Sequence, residues 1–259
     1  MKTIKVFIIG SGNMASALAL SCLNSSVEII GIYSKNLNTA NELSKKFKLK
    51  IFENINDIPK KLDLYFLCVN DDSINVISTE LEANDGLLVH FSGLKSINEI
   101  TKHKNKAVFW PIESINKNTF VTFKDTPICI EANSEINLTI IESFAKSVAN
   151  NVININSSNR QYLHLAATIT NNFSNHLINL AKNELENQHL NYNLLKNLLS
   201  KSINNAFLFD PNTIQTGPAV RNDTNTMNDH LSLIKNDNLK SLYKLFSKSI
   251  FEVKENNNA

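Results

Sequence analysis

Two glycines near the start of the chain have the spacing of a phosphate-binding loop. Gly10 and Gly12 directly follow an apolar run, and the third small position of the pattern is Ala15. The first glycine permits a tight turn, the second lets backbone approach a diphosphate, and the small residue lets a helix pack closely on its strand. Amides at the helix start and the helix dipole favour the anion. The predicted cofactor-binding residues of this loop are Gly10, Ser11, Gly12, Asn13 and Met14.

The residues after the second predicted strand favour NADP(H) as the dinucleotide. NAD-binding sites usually carry a carboxylate there, which bonds the ribose 2′-hydroxyl. This chain has Ser34, Lys35 and Asn36 instead. A carboxylate would repel a 2′-phosphate, whereas a hydroxyl and an amide can donate hydrogen bonds to it and a lysine can neutralise it. The alternative for Lys35 is a solvated surface charge. The missing carboxylate also disfavours a methyltransferase that uses S-adenosylmethionine.

Two later loops are expected to border the same ligand, because the carboxyl ends of parallel strands line the ligand crevice. Asp71 and its neighbours would border the cofactor, Ser92 would bind a cofactor or substrate oxygen, and Gly93 would admit backbone close to the nicotinamide. His90 is either a proton donor or a core histidine bonded to backbone, and the sequence weighs the two equally. The cofactor candidates in these loops are Val69, Asn70, Asp71, Ser92 and Gly93.

A polar stripe on a predicted long helix supplies the second set of candidates. Its members recur at steps of three and four residues, which places them on one helix face. Taken alone, such a stripe is more often a solvated face than an active site. The stripe consists of His164, Thr168, Asn171, Asn172 and Asn175.

The elements that must position these residues predict an α/β fold of the Rossmann type, a doubly wound and mostly parallel sheet. Apolar strand candidates alternate with helical patterns at residues 14–23, 39–47 and 73–80. From residue 160 onward the patterns are helical, with a break around residues 210–218. We therefore predict a nucleotide-binding domain over 1–156 and an all-helical domain over 157–259. The strand candidates are residues 4–9, 27–33, 64–69, 87–91, 107–110, 126–130 and 152–155.

Composition excludes several classes of protein. With 42% hydrophobic residues and a net charge of +2, the chain can build a core and has no strong field for nucleic acid or an anionic membrane. The three cysteines, Cys22, Cys68 and Cys129, form no metal-binding or disulfide pattern. The apolar run at residues 6–9 is too short for a signal peptide. We expect a cytoplasmic protein with no metal site and no membrane span.

Three separated segments resemble a bacterial family of uncharacterised Rossmann-type proteins described as NADP oxidoreductases, which carry a C-terminal domain of unknown function. These segments are residues 88–93, 163–173 and 216–223, and His230 follows the last of them. They stand in the family's order, and the resemblance spans nearly the whole chain. The family is distantly similar to pyrroline-5-carboxylate reductase and to the 6-phosphogluconate dehydrogenase superfamily.

The resemblance implies a helical C-terminal domain that forms a homodimer and an active site between the two domains. It places His164 and Asn172 at the nicotinamide cleft, which residues 216–223 help to close. The substrate-binding candidates on this basis are Thr168, Gly217 and Arg221.

Two departures from the relatives limit this transfer. The better-known dehydrogenases of the superfamily carry a catalytic lysine on the equivalent helix, where this chain has His164. The family's Arg-Gly-Asp-like stretch reads Arg221-Asn222-Asp223 here and so loses its glycine. Arg221 has the alternative of an ion pair with Asp223, and the segment 216–218 has the alternative of a simple helix-ending turn.

Two functions from different classes fit these features. The first is an NADP(H)-dependent oxidoreductase that transfers hydride between the nicotinamide and a small carbonyl or imine compound. His164 would then be the acid/base, because imidazole exchanges protons near pH 7, Asn172 would orient the substrate, and Arg221 would pair with a carboxylate. The second is an NADP-binding sensor or regulatory protein without turnover, which the missing lysine favours.

Overall fold

The apolar runs of the first half form one eight-stranded sheet. The structure is a computed structural model that describes residues 3–23, 25–82, 84–117 and 121–258. The strands lie in the order β3-β2-β1-β4-β5-β6-β7-β8. All neighbours pair in parallel except β6 and β7, which are antiparallel. The strands are β1 (Ile4–Ile9), β2 (Val27–Tyr33), β3 (Ile51–Phe52), β4 (Leu64–Leu67), β5 (Leu87–His90), β6 (Lys106–Pro111), β7 (Ile128–Ala132) and β8 (Val152–Asn154).

Both faces of this sheet are buried, as expected for parallel strands between helices. Along β1, Val6 and Ile8 join one hydrophobic cluster, whereas Phe7 and Ile9 join the cluster on the opposite face. Each large apolar side chain buried in this way contributes about 1.5–3 kcal/mol to folding. The covering helices are α1 (Asn13–Cys22), α2 (Leu37–Phe47), α3 (Ile74–Glu80), α4 (Glu135–Val148) and α5 (Ser157–Ala167).

The predicted fold class is confirmed, and several elements differ from the prediction. Seven predicted strands are present with end shifts of a few residues, while β3 and α4 were missed. The antiparallel β7 was not foreseen either. The mostly parallel, doubly wound sheet of the Rossmann type is nevertheless the observed architecture.

The long helix predicted over residues 160–189 is interrupted. A π-helical turn (Thr168–Phe173) follows α5, and α6 (Ser174–Glu186) begins after it. A π-helical turn pairs each amide with a carbonyl five residues earlier, so the spacing of three and four no longer holds across it. The predicted polar stripe is therefore not one regular α-helical face. By compactness the chain divides into two units, residues 1–169 and 170–259; the predicted domain boundary after residue 156 coincides with the start of α5 and stays a prediction.

The second unit is helical. Its elements include the short α8, which Asp210 caps and Pro211 begins, at the place where the sequence predicted a break. Among the described residues, no helix has both the length and the apolar character that a membrane crossing requires. After α6 its α-helices are α7 (Lys196–Leu208), α8 (Pro211–Ile214), α9 (Thr224–Leu233) and α10 (Asp237–Asn258).

Candidate functional site

Gly10 lies where the ends of three adjacent strands meet. Its amide donates to the carbonyl oxygen of Tyr33 at the end of β2, over 2.7 Å. Its φ is +111°, and a Cβ at this position would lie 2.1 Å from the carbonyl oxygen of Cys68, just after β4. An L side chain is excluded here both by the backbone angle and by the contact. The tight turn expected of the first glycine is present.

Gly12 occupies the N-cap of α1 and faces open space. Its φ is −80°, which any residue can adopt, and nothing lies within 4 Å of where a Cβ would be. Gly12 has no side chain to cap the first turn, which begins with Asn13 and Met14. Ala15 is fully buried behind it. The first-turn amides thus lie beside a space that a diphosphate can fill and a Cβ would obstruct.

A cluster of hydroxyl groups connects this loop to the end of β2. The Ser11 hydroxyl lies 2.8 Å from the Ser34 hydroxyl and 2.5 Å from that of Thr39. Asn36 caps α2, because its side-chain oxygen accepts from the amides of residues 38 and 39. Its side-chain nitrogen is the group left to donate to a ligand. Thr39 was missed by the sequence interpretation, although it stands three residues after the N-cap.

Lys35 forms an ion pair that the sequence did not predict. Its Nζ lies 3.0 Å from a carboxylate oxygen of Glu80 at the end of α3, and both side chains are largely exposed. The Glu80 carboxylate therefore brings a negative charge into the region beyond β2, which the residues after that strand did not indicate. Such an exposed pair is worth less than about 1 kcal/mol, so Lys35 can exchange it for another anion.

The loops after β4 and β5 are joined by the side chains of Asp71 and Ser92. The Ser92 hydroxyl donates to the Asp71 carboxylate over 2.6 Å and accepts from the amides of Leu94 and Lys95. In the preceding residues Val69 is half-buried and Asn70 is exposed. The Ser92 hydroxyl thus uses its hydrogen bonds within these loops, while Asp71 is exposed at the same edge of the sheet.

His90 lies inside the fold and not on its surface. Its side chain is fully buried, and its Nδ1 accepts a hydrogen bond from the Ser92 amide over 3.2 Å. Burial, together with the smaller effect of the positive charge of Arg160, lowers the pKa of His90 to about 3, although a backbone interaction with Ser96 opposes the shift. A neutral imidazole held in this way favours the core-histidine alternative over the proton donor.

Gly93 is the contact point between the sheet and α5. A Cβ on Gly93 would lie 2.6 Å from both the Cδ2 of His164 and the Cε2 of Trp110. The rings of His164 and Trp110 lie 5.7 Å apart between centroids. The close approach that the sequence expected of a cofactor is occupied here by two side chains. The His164 ring stays partly accessible to solvent at the edge where β5 and β6 end.

A buried ionic group beside this contact was not predicted. Arg160 is fully buried and pairs with the Glu131 carboxylate of β7. Its guanidinium also donates to the carbonyl oxygen of Lys95 over 2.6 Å. The only sequence signal for this residue is an arginine on the first turn of a helix in a chain otherwise rich in lysine.

The remaining candidates lie in the π-helical turn and in the second unit. Thr168 opens the π-helical turn and its hydroxyl donates to the carbonyl of His164, whereas Asn172 is exposed later in the same turn. Gly217 has a φ of +115°, so its glycine is required by the backbone. Arg221 is exposed on the loop before α9, with the side chain of Asp223 capping that helix through Thr226.

The departure at Asn222 has a backbone explanation. Asn222 has a φ of +53°, in the left-handed region. Asparagine is among the few non-glycine residues that adopt this region readily. The replacement of the family's glycine by Asn222 is therefore compatible with the left-handed conformation of this turn.

Two family models match parts of this chain. Residues 5–90 match the family "NADP oxidoreductase coenzyme F420-dependent", and residues 126–250 match a domain of unknown function, DUF2520. No match was found among curated proteins.

Among solved structures, a protein from Bacteroides fragilis described as a putative NADP oxidoreductase is 29% identical, with a TM-score of 0.86 over 96% of this chain and 98% of that chain. The protein TM1727 from Thermotoga maritima is 23% identical, with a TM-score of 0.71 over 98% and 100% of the two chains. A 1-pyrroline-5-carboxylate reductase from Streptococcus pyogenes is 16% identical, with a TM-score of 0.62 over 97% and 98%. The last two show a shared fold. The chain is therefore similar to the family described as NADP oxidoreductase coenzyme F420-dependent over residues 5–90, and to the DUF2520 domain over residues 126–250.

Proposed function

We propose that this protein is an NADP(H)-dependent oxidoreductase that transfers hydride between the nicotinamide and a small carbonyl or imine substrate. The observation that carries the proposal is a row of contacts along the carboxyl edge of the sheet, in strand order. Ser34 after β2 contacts Ser11 after β1, and Gly10 lies against Cys68 after β4. Asp71 then bonds Ser92 after β5, and the row ends at His164 beside β6. An extended dinucleotide requires such a row across the point where strand order reverses.

The two ends of this row are assigned to the two ends of the cofactor. The diphosphate lies at Gly10–Met14, where amides at the start of α1 lie beside open space at Gly12. The adenosine ribose lies toward β2, with Ser34, Lys35 and Asn36 around its 2′-phosphate. The family description and the named relative from Bacteroides fragilis support a nicotinamide cofactor. The preference for NADP(H) depends on the residues after β2.

When bound, the nicotinamide supplies or accepts the hydride, and the chain supplies position and a proton. His164 is the residue assigned to proton transfer, because its ring is partly accessible and held at the strand ends that border the nicotinamide. Asn172 orients the substrate, and Thr168, Gly217 and Arg221 are assigned to substrate contacts. His90 is assigned a structural part only.

The test is a cofactor titration followed by a substrate screen. NADPH and NADH are titrated by fluorescence, and keto acids and cyclic imines are then screened for loss of reduced-nicotinamide absorbance. Coenzyme F420 belongs in the screen, because the matched family is described by it. His164→Gln should leave cofactor affinity nearly unchanged and lower turnover roughly a hundredfold. Tighter binding of NADH than NADPH would contradict the cofactor assignment.

The same screen tests the sensor alternative. Tight NADPH binding with no turnover across the panel would favour an NADP-binding regulatory protein. No binding of either nucleotide at millimolar concentration would contradict both functions. An unchanged rate in His164→Gln would remove that residue from proton transfer.

We further propose that the protein acts as a homodimer that the helical unit forms. In the described part of residues 170–259, Ala219 is the one apolar residue that is buried. Large apolar side chains on α7 are instead exposed, with Phe207 at 86% and Leu198 at 66%. Fully burying each would contribute about 1.5–3 kcal/mol. Sedimentation should show a dimer that Leu198→Asp with Phe207→Asp dissociates, whereas Ile136→Asp on the exposed face of α4 should not.

A further inference from the structure

Arg160 is a charged residue with no access to solvent. Its side chain is fully buried on the first turns of α5. Burying an ion costs several kcal/mol, and an ion pair repays this only with full hydrogen bonding. Among the described residues its Nε has no hydrogen-bond partner. Replacing a whole buried ion pair by apolar side chains is often neutral or stabilising, so stability alone does not account for the pairing of Arg160 with Glu131.

The guanidinium joins three separate segments of the first unit. One terminal nitrogen pairs with Glu131 on β7, and the other donates to the Lys95 carbonyl in the loop after β5. Ser157, at the start of α5, donates to the same Glu131 carboxylate over 2.7 Å and accepts from the Ile97 amide. The planar fork of an arginine holds two such acceptors in a fixed geometry, whereas a lysine offers a single nitrogen on a flexible stem.

The same loop is held by α5 at its other end. Gln161 donates to the Leu94 carbonyl over 2.9 Å, and His164 packs on Gly93. Arg160 and His164 stand four residues apart, so they lie on one side of α5, one turn from each other. Between Gly93 and Ile97, α5 thus contacts Gly93 through His164, Leu94 through Gln161, Lys95 through Arg160 and Ile97 through Ser157.

We propose that Arg160 is a positioning residue, which fixes α5 on the loop after β5 and so holds the His164 ring at the edge of the nicotinamide site. This rests on the proposed function insofar as His164 exchanges the proton. A displacement of about 1 Å at a reacting group can cost a hundredfold in rate. An arginine anchored at two points one turn away restricts such displacement.

The single tryptophan provides a readout that needs no turnover. Trp110 is the one tryptophan of the chain and lies 5.7 Å from the His164 ring. The emission of an indole depends on the groups that contact its ring, so His164→Gln should change the Trp110 emission. A variant in which His164 moves away from Trp110 should show a change of the same kind.

The decisive variant removes both charges of the pair together. Arg160→Met alone leaves the partly buried Glu131 carboxylate without its ion-pair partner and can unfold the chain, so it is combined with Glu131→Gln. We expect this double variant to fold and to bind NADPH within about threefold of wild type. Its turnover should fall at least about tenfold, and its Trp110 emission should differ from wild type as that of His164→Gln does. The turnover of Arg160→Lys should lie between that of wild type and that of the double variant, because lysine keeps the charge and lacks the planar fork.

The matched control is the exposed ion pair of α4, Lys146 with Glu142, replaced by Met and Gln. It should leave turnover, fluorescence and exchange unchanged. Hydrogen exchange of the amides at residues 93–97 is the second measurement, and it should accelerate in the Arg160 double variant alone. A folded double variant with wild-type exchange and wild-type Trp110 emission, or with unchanged turnover, would overturn the proposal. If the wild type turns over nothing, the proposed function fails, while exchange and fluorescence still decide the positioning.

Discussion

The ring centroids of His164 and Trp110 lie 5.7 Å apart with an interplanar angle of 52°, and both rings lie close to Gly93. Trp110 belongs to β6 and His164 to α5, so residues far apart in the chain meet over one glycine. A Cβ on that glycine would approach each ring within 2.6 Å, closer than side-chain contacts normally come. Position 93 therefore decides whether the imidazole can stay at this edge.

Gly93→Ala should displace His164 or Trp110. Overpacking of this kind costs about 1–3 kcal/mol in the free energy of unfolding, which urea denaturation measures. Turnover and the Trp110 emission should change as well, because the rings must separate. The control is Gly86→Ala, where a Cβ would lie 2.3 Å from the Leu62 carbonyl oxygen. It should lose stability and keep the emission; equal effects of both variants would make Gly93 a purely structural residue.

Alanine substitutions at the two loop glycines, Gly10 and Gly12, should affect stability and cofactor binding differently. Gly10→Ala forces an L side chain into a φ of +111° and into the Cys68 carbonyl, so it should lower stability and abolish cofactor binding. Gly12→Ala meets no atom within 4 Å, so its free energy of unfolding should stay within about 0.5 kcal/mol of wild type. Its NADPH affinity should nevertheless fall at least tenfold, because the methyl group occupies the diphosphate space. Unchanged affinity in Gly12→Ala would place the diphosphate elsewhere.

The loop before α9 offers a test of backbone conformation alone. Asn222 has a φ of +53°, so Asn222→Ala should destabilise by about 1 kcal/mol, whereas Asn222→Gly should be neutral or nearly so. Thermal unfolding distinguishes the two. Equal melting temperatures for Ala and Gly would show that this turn does not stay in the left-handed region in solution.

His90 should make stability depend on pH below neutrality. Burial lowers its pKa to about 3 in the folded protein, while an unfolded histidine titrates near 6.5. Between these values the unfolded chain binds more protons, so the contribution is complete above about pH 6.5 and is lost as the pH falls. From pH 7.5 to pH 5 the loss should be about 2 kcal/mol.

His90→Asn should flatten that dependence, because asparagine can accept the Ser92 amide without titrating. The comparison is made on the difference in unfolding free energy between the two pH values, which cancels any pH-independent packing change. Burial also lowers the pKa of His103, so His103→Asn is measured beside it. A His90→Asn profile as steep as wild type would show that His90 is protonated in the folded state.

How far the sequence predicts this molecule depends on whether the signal is local. The glycine loop and β1, β2 and β5 are set by apolar periodicity and turn residues, and they were predicted within a residue or so. Helix α4 was missed because its β-branched run at residues 139–141 is strand-like, although Leu138, Ile141, Ala145 and Val148 have helical spacing. The π-helical turn has no comparable local signal.

The parts of the site that were missed depend on contacts between distant residues. Arg160 and Glu131 stand 29 residues apart, and Lys35 and Glu80 stand 45 apart, so neither pairing follows from spacing. The sequence also left His90 undecided, because burial, which decides its pKa, is a property of the folded sheet.

The pairing of Lys35 with Glu80 gives a test of cofactor preference. Glu80→Gln removes a carboxylate that both holds Lys35 and would repel a 2′-phosphate, so NADPH should bind about two- to fivefold more tightly while NADH stays unchanged. Fluorescence titration at low and at high salt measures this, and salt should reduce the gain. Glu82→Gln is the matched control, because Glu82 stands two residues after Glu80 and forms an exposed ion pair with Lys60. A gain for NADH as large as for NADPH would show that the 2′-phosphate does not lie at Lys35.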